Sequence, residues 1–155
     1  MASGLQTELK QQRPFKSLQE EAHLSIQRTA ALLEHAFETA LKPHRITATQ
    51  YNVLRILRGS EPDGLCRNEI GQRLVRQVPD VTRLLDRLEE ARLLSRHRGG
   101  HDRRYVTTRI TAAGLKLLEQ VDGQICAIHR EQLGHLSESE LQQLISLLEA
   151  VRRQP

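Results

Sequence analysis

The chain has no tryptophan and only two tyrosines and two phenylalanines among 155 residues, and hydrophobic content is a modest 38%. That length can bury one core, as a single compact protomer. So sparse an apolar content suits an elongated helical protomer that completes its core by dimerising. Apolar residues bunch in periodic segments, which excludes a disordered chain. No apolar run approaches the roughly 20 residues of a membrane span. The opening MASGLQTELKQQRPF has no apolar signal core, so export is not expected. The two cysteines, Cys66 and Cys126, lie too far apart in sequence to suggest a disulfide framework or a metal knuckle. A reducing cytoplasm is the expected setting. No paired acid and base, nucleophile elbow or phosphate loop is present, so no enzymatic activity and no cofactor are expected. There is no internal repeat and no low-complexity segment.

Lysine is missing from the stretch 67–109, and arginine takes its place. Eleven arginines face six acids there, so the segment carries +5 while the whole chain carries +4. A basic unit on a slightly acidic frame is the footprint of a polyanion binder. Guanidinium forks also suit bidentate contact with phosphates and guanine edges. Periodicity predicts a helix from Asn68 to about Val75, with Ile70 and Leu74 on one face. A second helix is predicted from about Pro79 to Leu93, with Val81, Leu84, Leu85, Leu88 and Ala91 inward and Pro79 in its first turn. Its other face holds Gln77, Asp80, Thr82, Arg83, Asp86 and Arg87. Strands are predicted at Leu94–Arg98 and Tyr105–Ile110, around the turn-forming Gly99-Gly100-His101-Asp102. Asp86 and Glu89 suit the body side, where Asp86 could hold Arg83 or an arginine of the hairpin. The plain alternative is a solvated helix face with intrahelical charge pairs.

Outside this unit the sequence reads as amphipathic helix. Residues 1–14 are expected to be a flexible tail. A long helix is predicted from about Lys16 to Leu41, stopped by Lys42-Pro43-His44. Thr47 and Gln50 form a capping box, with Ile46 and Tyr51 as staple, for a helix from Ala48 to Arg58. Cys66 stands where a cap should open the helix at Asn68, although a thiol is a weak acceptor. Thr111 can cap a helix from Ala112 to about Leu133, weakened locally by Gly114 and Gly123. Ser137 and Glu140 form a second capping box for the last helix.

Two runs carry a resemblance. Asp102-Arg103-Arg104-Tyr105-Val106-Thr107-Thr108-Arg109-Ile110-Thr111 resembles the wing signature D-x-R-x-x-x-x-x-L-T of the MarR family, with Ile for Leu. Val81-Thr82-Arg83-Leu84-Leu85-Asp86-Arg87-Leu88-Glu89 looks like that family's recognition helix. The resemblance implies a mainly α fold with a small β wing: a winged helix-turn-helix at 46–110, flanked by dimerisation helices at 15–45 and 111–155. It implies a homodimeric regulator of transcription, a repressor relieved by a small effector, reading a palindromic double-stranded site with two helices about 34 Å apart. Implied DNA contacts are Gln77, Asp80, Thr82, Arg83, Arg87, Arg98, Asp102, Arg103 and Arg104, with Asp102 fixing the wing and Arg104 reaching DNA. A small aromatic or phenolic ligand would fall near Phe37, His44, Tyr51 and Arg55, where plain core packing is the competing reading. Some relatives bind zinc, for which His23, Glu34, His35 and His129 are the candidates, but no two of these are spaced as H-x-x-x-H and no metal is expected. Cys66 beside Arg67 is the one thiol suited to redox sensing, while Cys126 is expected to be a small core residue. A winged-helix module gripping an acidic protein is the alternative to DNA binding.

Overall fold

A computed structural model describes residues 4–99 and 105–153. The tail contains one short helix, α1 (Gly4–Glu8), where the sequence suggested no regular structure. The long helix α2 (Leu18–Leu41) starts two residues later than its periodicity implied, because Ser17 caps it by accepting the Glu20 N–H. A single 3-10 turn, Lys42–His44, ends it. Helix α3 (Ala48–Arg58) opens on the Thr47–Gln50 capping box, with both reciprocal bonds present. Then come α4 (Arg67–Arg73) and α5 (Val81–Glu90). They are followed by the antiparallel strands β1 (Leu94–Arg98) and β2 (Val106–Ile110), by α6 (Ala112–Leu133), and by α7 (Glu138–Arg152).

One aliphatic core joins α2, α3, α4, α5, α6 and the two strands. Leu41, Val53, Leu54, Leu57, Ile70, Leu85, Leu88, Leu94, Leu118 and Val121 are all at most 2% exposed. Each such side chain contributes roughly 1.5–3 kcal/mol by leaving water. Helices α2, α3 and α6 pack against one another, and α3 carries both α4 and β2. Arg58 on α3 clasps Asp122 on α6 at 2.6 Å. Gln132 on α6 donates to the Leu33 carbonyl of α2 at 3.1 Å.

The hairpin pairs Leu94 with Ile110 and Arg98 with Val106. A third short segment joins it. Leu65 exchanges both backbone bonds with Thr108, at 3.0 and 2.7 Å. Gly64 makes this approach possible: its φ is +75°, and a Cβ there would lie 2.5 Å from the Thr108 carbonyl. Among the described residues, α7 stands apart. None of its residues is buried in the protomer.

Candidate nucleic-acid interface

Helix α4 begins at Arg67. Cys66 holds the cap position, and Glu69 returns a carboxylate to the Cys66 N–H at 2.8 Å. That bond holds the Glu69 carboxyl below its usual range. The anionic half of the box therefore compensates for a poor thiol cap. The helix ends at Arg73, short of Val75. Leu74 turns extended, and Val75 N–H is taken up by Asn52 Oδ1 on α3 at 2.9 Å. The next residue, Arg76, pairs with Glu34 on α2 at 2.5 Å. These two straps fix the turn between α4 and α5 against the helical stem.

Helix α5 starts at Val81, so Pro79 lies before the helix and not in its first turn. The reason is Asp80, whose carboxylate accepts the Arg83 N–H at 2.9 Å and makes Asp80 the cap. Leu85 and Leu88 point into the core, and Thr82, Arg83 and Arg87 are exposed on the other side. The helix ends at Glu90, before the expected Leu93, because Arg92 adopts a left-handed φ of 59°. Leu93 N–H then bonds back to Leu88 O and Arg92 N–H to Glu89 O, which closes the helix in a Schellman turn.

The acids of α5 do not pair along their own helix. Asp86 and Glu89 both grip Arg96 on β1, each at 2.6 Å. Glu89 also accepts the Arg96 backbone N–H at 3.1 Å. The Arg96 guanidinium holds the Glu89 carboxyl below its ordinary range, and the Arg96 charge is stabilised in return. So the wing is pinned to the back of α5 by a three-residue ion cluster, and of the two partners expected for Asp86 the hairpin arginine is the one used.

This pairing sorts the arginines. Arg76 and Arg96 are taken by carboxylates. Arg73 donates to the Ser60 hydroxyl and Arg109 to the Asp63 carbonyl. Among the described residues, Arg83, Arg87 and Arg98 have exposed side chains and no carboxylate within ion-pair distance. Gln77 is also exposed and shares a cleft of about 460 Å³ with Arg67, Asn68 and Val81. Asp102, Arg103 and Arg104 lie outside the described residues. Arg67 was counted in the basic segment but not among its expected site residues. The structure puts it between α4 and α5, donating to Thr82 Oγ1 at 3.1 Å. Its place at the first position of a helix that faces α5 was the available signal.

The expected effector residues come together in part. The Phe37 and Tyr51 rings meet edge to face at 5.4 Å, and the Arg55 guanidinium carbon is 6.0 Å from the Tyr51 ring. His44 sits on the turn after α2, and no described ring contact joins it to the other three. Tyr51 is only 4% exposed and belongs to the core. Burial raises the Tyr51 phenol above its usual range, opposed by the nearby Arg55 charge. Sequence reasoning missed Arg58 and Asp122 beside it. It named His129 only for metal, whereas the ring stacks on Phe37 at 6.0 Å. Glu34 is engaged by Arg76, and the described residues contain no group of three His, Cys, Asp or Glu able to hold a metal ion. Cys126, expected in the core, is exposed in the protomer, and Cys66 is half-buried.

The same architecture occurs in known proteins. A sequence model of the MarR family matches residues 45–104. A MarR transcription factor from Planctomyces limnophilus is 40% identical, with a TM-score of 0.68 over 88% of this chain and 98% of its own. The MepR–DNA complex of S. aureus is 26% identical, with a TM-score of 0.76 over 83% of this chain and 94% of that one. A mutant MarR from E. coli complexed with operator DNA is also 26% identical, with a TM-score of 0.76 over 88% and 99%. With a helix-turn-helix, a pinned wing and a 40% identical relative matched along almost its whole length, this chain belongs to the MarR family of winged helix-turn-helix, DNA-binding transcription regulators.

Proposed function

We propose that the protein acts as a homodimer that reads a palindromic duplex through paired α5 helices and wings, and represses transcription until a small ligand releases it. The observation that carries the DNA reading is the sorting of charge: Asp86 and Glu89 of α5 are engaged by Arg96, and among the described residues Arg83, Arg87 and Arg98 are exposed without carboxylate partners. Thr82, Arg83 and Arg87 lie on the face opposite the core, where a recognition helix meets base edges. Gln77 sits at the approach to that helix, and Asp80 contributes by capping it. Arg98 with Arg103 and Arg104 of the wing would contact phosphates or a narrow minor groove.

Dimerisation is supported by apolar residues that the protomer leaves uncovered on its terminal helices. Ile145, Leu147 and Val151 of α7 are 54%, 67% and 59% exposed, and Leu32 of α2 is 55% exposed. Release by a ligand is assigned to the region of Phe37, His44, Tyr51 and Arg55, where a cation stands beside an aromatic pair as an aromatic acid requires. Such a ligand acts only by binding the DNA-competent and incompetent dimers with different affinity.

Selecting bound fragments from genomic DNA, then titrating the selected duplex against random duplex at one salt concentration, tests the proposal. The expected preference is at least about a thousandfold. Arg98→Ala should weaken both duplexes alike and reduce the salt slope by about one. Equal affinity for selected and random duplex would overturn sequence-specific reading and favour an acidic protein partner instead.

A further inference from the structure

Thr82 has a fixed neighbour. One guanidinium nitrogen of Arg67 donates to Thr82 Oγ1 at 3.1 Å, and the other lies 3.5 Å from Asn68 Oδ1. Both Arg67 and Thr82 are exposed, and among the described residues Arg67 pairs with no carboxylate. Arg67 also lines two clefts, one of about 460 Å³ shared with Gln77 and one of about 500 Å³ shared with Tyr105. It therefore stands between the start of α5 and the second strand of the wing.

A threonine hydroxyl has one hydrogen to give and two lone pairs to offer. By itself at a helix surface it accepts or donates and discriminates poorly among bases. Here a cationic donor occupies one lone pair. A hydrogen bond from a charged group polarises the hydroxyl and strengthens the bond it donates onward. The same charge repels any second donor approaching the oxygen. We propose that Arg67 is a positioning residue that makes Thr82 a one-way hydrogen-bond donor, so that Thr82 selects a base with a major-groove acceptor and rejects cytosine. Guanine offers N7 and O6, adenine N7 and thymine O4, while cytosine presents only the N4 amine. This inference rests on the DNA reading above and adds a specific base preference to it.

The test uses the full-length protein and its selected palindromic duplex. Each base pair of both half-sites is replaced in turn. Wild type should show one symmetric position where cytosine weakens binding about five- to tenfold, the low end for a single base contact. Thr82→Val, which keeps the shape and one methyl, should abolish that discrimination. Thr82→Ser should retain it. Arg67→Ala should abolish it too, and the Arg67→Ala/Thr82→Val double variant should lose nothing further at that position, because the two residues act as a unit. Where the preferred base is adenine, whose one major-groove acceptor is N7, its 7-deaza form should reproduce the loss in wild type and have no effect on Thr82→Val. Thermal unfolding of all variants checks that the fold is kept.

Two results overturn the proposal. One is an Arg67→Ala variant that weakens selected and random duplex equally with base discrimination intact, which would make Arg67 a phosphate anchor. The other is additive loss in the double variant. A wild-type protein without any preferred duplex gives a different signature, since then the DNA reading itself fails first.

Discussion

Gly114 shows how one missing side chain can hold two elements together. It is buried in the first turn of α6, and a Cβ there would lie 2.3 Å from the Leu93 carbonyl oxygen and 2.6 Å from Ile110 Cγ1. The backbone of α6 is thereby brought down onto the end of α5 and the end of the wing. Thr111, three residues earlier, works at the same junction. Its hydroxyl donates to Arg92 O at 2.7 Å and accepts the Gly114 N–H at 3.1 Å, and its own N–H reaches Leu93 O at 3.1 Å. Two effects oppose each other at this position. Helix propensity says that Gly114→Ala should stabilise by about 1 kcal/mol. Overpacking against backbone says that it should destabilise by about 1–3 kcal/mol. A backbone carbonyl that already accepts the Thr111 N–H cannot step aside as a flexible side chain can, so the second effect wins. The expected outcome is a lower midpoint of thermal or urea unfolding for Gly114→Ala. Gly123 on the same helix, with open space where its Cβ would be, is the control and should gain stability when changed to Ala. A stabilised Gly114→Ala protein would show that the α5–α6 junction is looser than described.

The wing is the element whose position depends most on charge. Arg96 is held by Asp86 and Glu89, and Glu89 has its proton affinity lowered by that bond. The sign follows. A carboxyl that is more acidic in the folded chain than in the unfolded one adds stability above its unfolded pKa. That stability is lost as pH falls through the folded value. The window therefore opens in the ordinary glutamate range and extends below it, at about pH 4 and lower. Glu89→Gln should remove part of this acid-side loss. Comparing unfolding midpoints of wild type and Glu89→Gln from neutral pH to about pH 3 checks it; parallel curves would mean that Glu89 carries no linked proton. This cluster also marks where the sequence stopped being readable. The helices α3 and α7 were legible because their capping boxes are local, three residues from end to end. The strands were legible from composition. The partner of Asp86 was not, because Arg83 lies one helical turn away while Arg96 comes into reach only once the Schellman turn at Arg92 reverses the chain. The start of α5 was misread for a related reason: Pro79 fits a first turn, but Asp80 caps more strongly. The Glu34–Arg76 bridge spans 42 residues and has no local signature at all.

At the scale of the molecule, the stem and the reading surface are tied at a few defined points. Glu34 on α2 holds Arg76, and Asn52 on α3 holds Val75, both in the turn that leads into α5. A rotation of α2 would therefore pull on the turn that leads into α5. The stem leaves apolar surface uncovered in the protomer. Its last helix has no buried residue, yet Leu141, Leu144, Leu148 and Val151 recur at helical spacing, and Ile145 stands beside them. An uncovered apolar stripe of this kind costs solubility unless something covers it, and in the proposed homodimer a second copy would supply a matching stripe with two-fold symmetry. The consequence for DNA is arithmetic. Two linked half-site contacts make the second binding event intramolecular, so avidity exceeds either contact by about a hundredfold or more. Ile145 and Val151 are exposed at 54% and 59% in the protomer, so acidic replacements there should leave the fold of a single copy intact. The Ile145→Glu/Val151→Glu variant is expected to sediment as a monomer with unchanged far-UV dichroism, and to lose about a hundredfold in affinity for the palindrome while a single half-site binds as before. A variant that stays dimeric would place the interface on other helices. A monomer that holds the palindrome as tightly as wild type would mean that one copy supplies all the binding energy, and the spacing between paired α5 helices would then have no part in recognition.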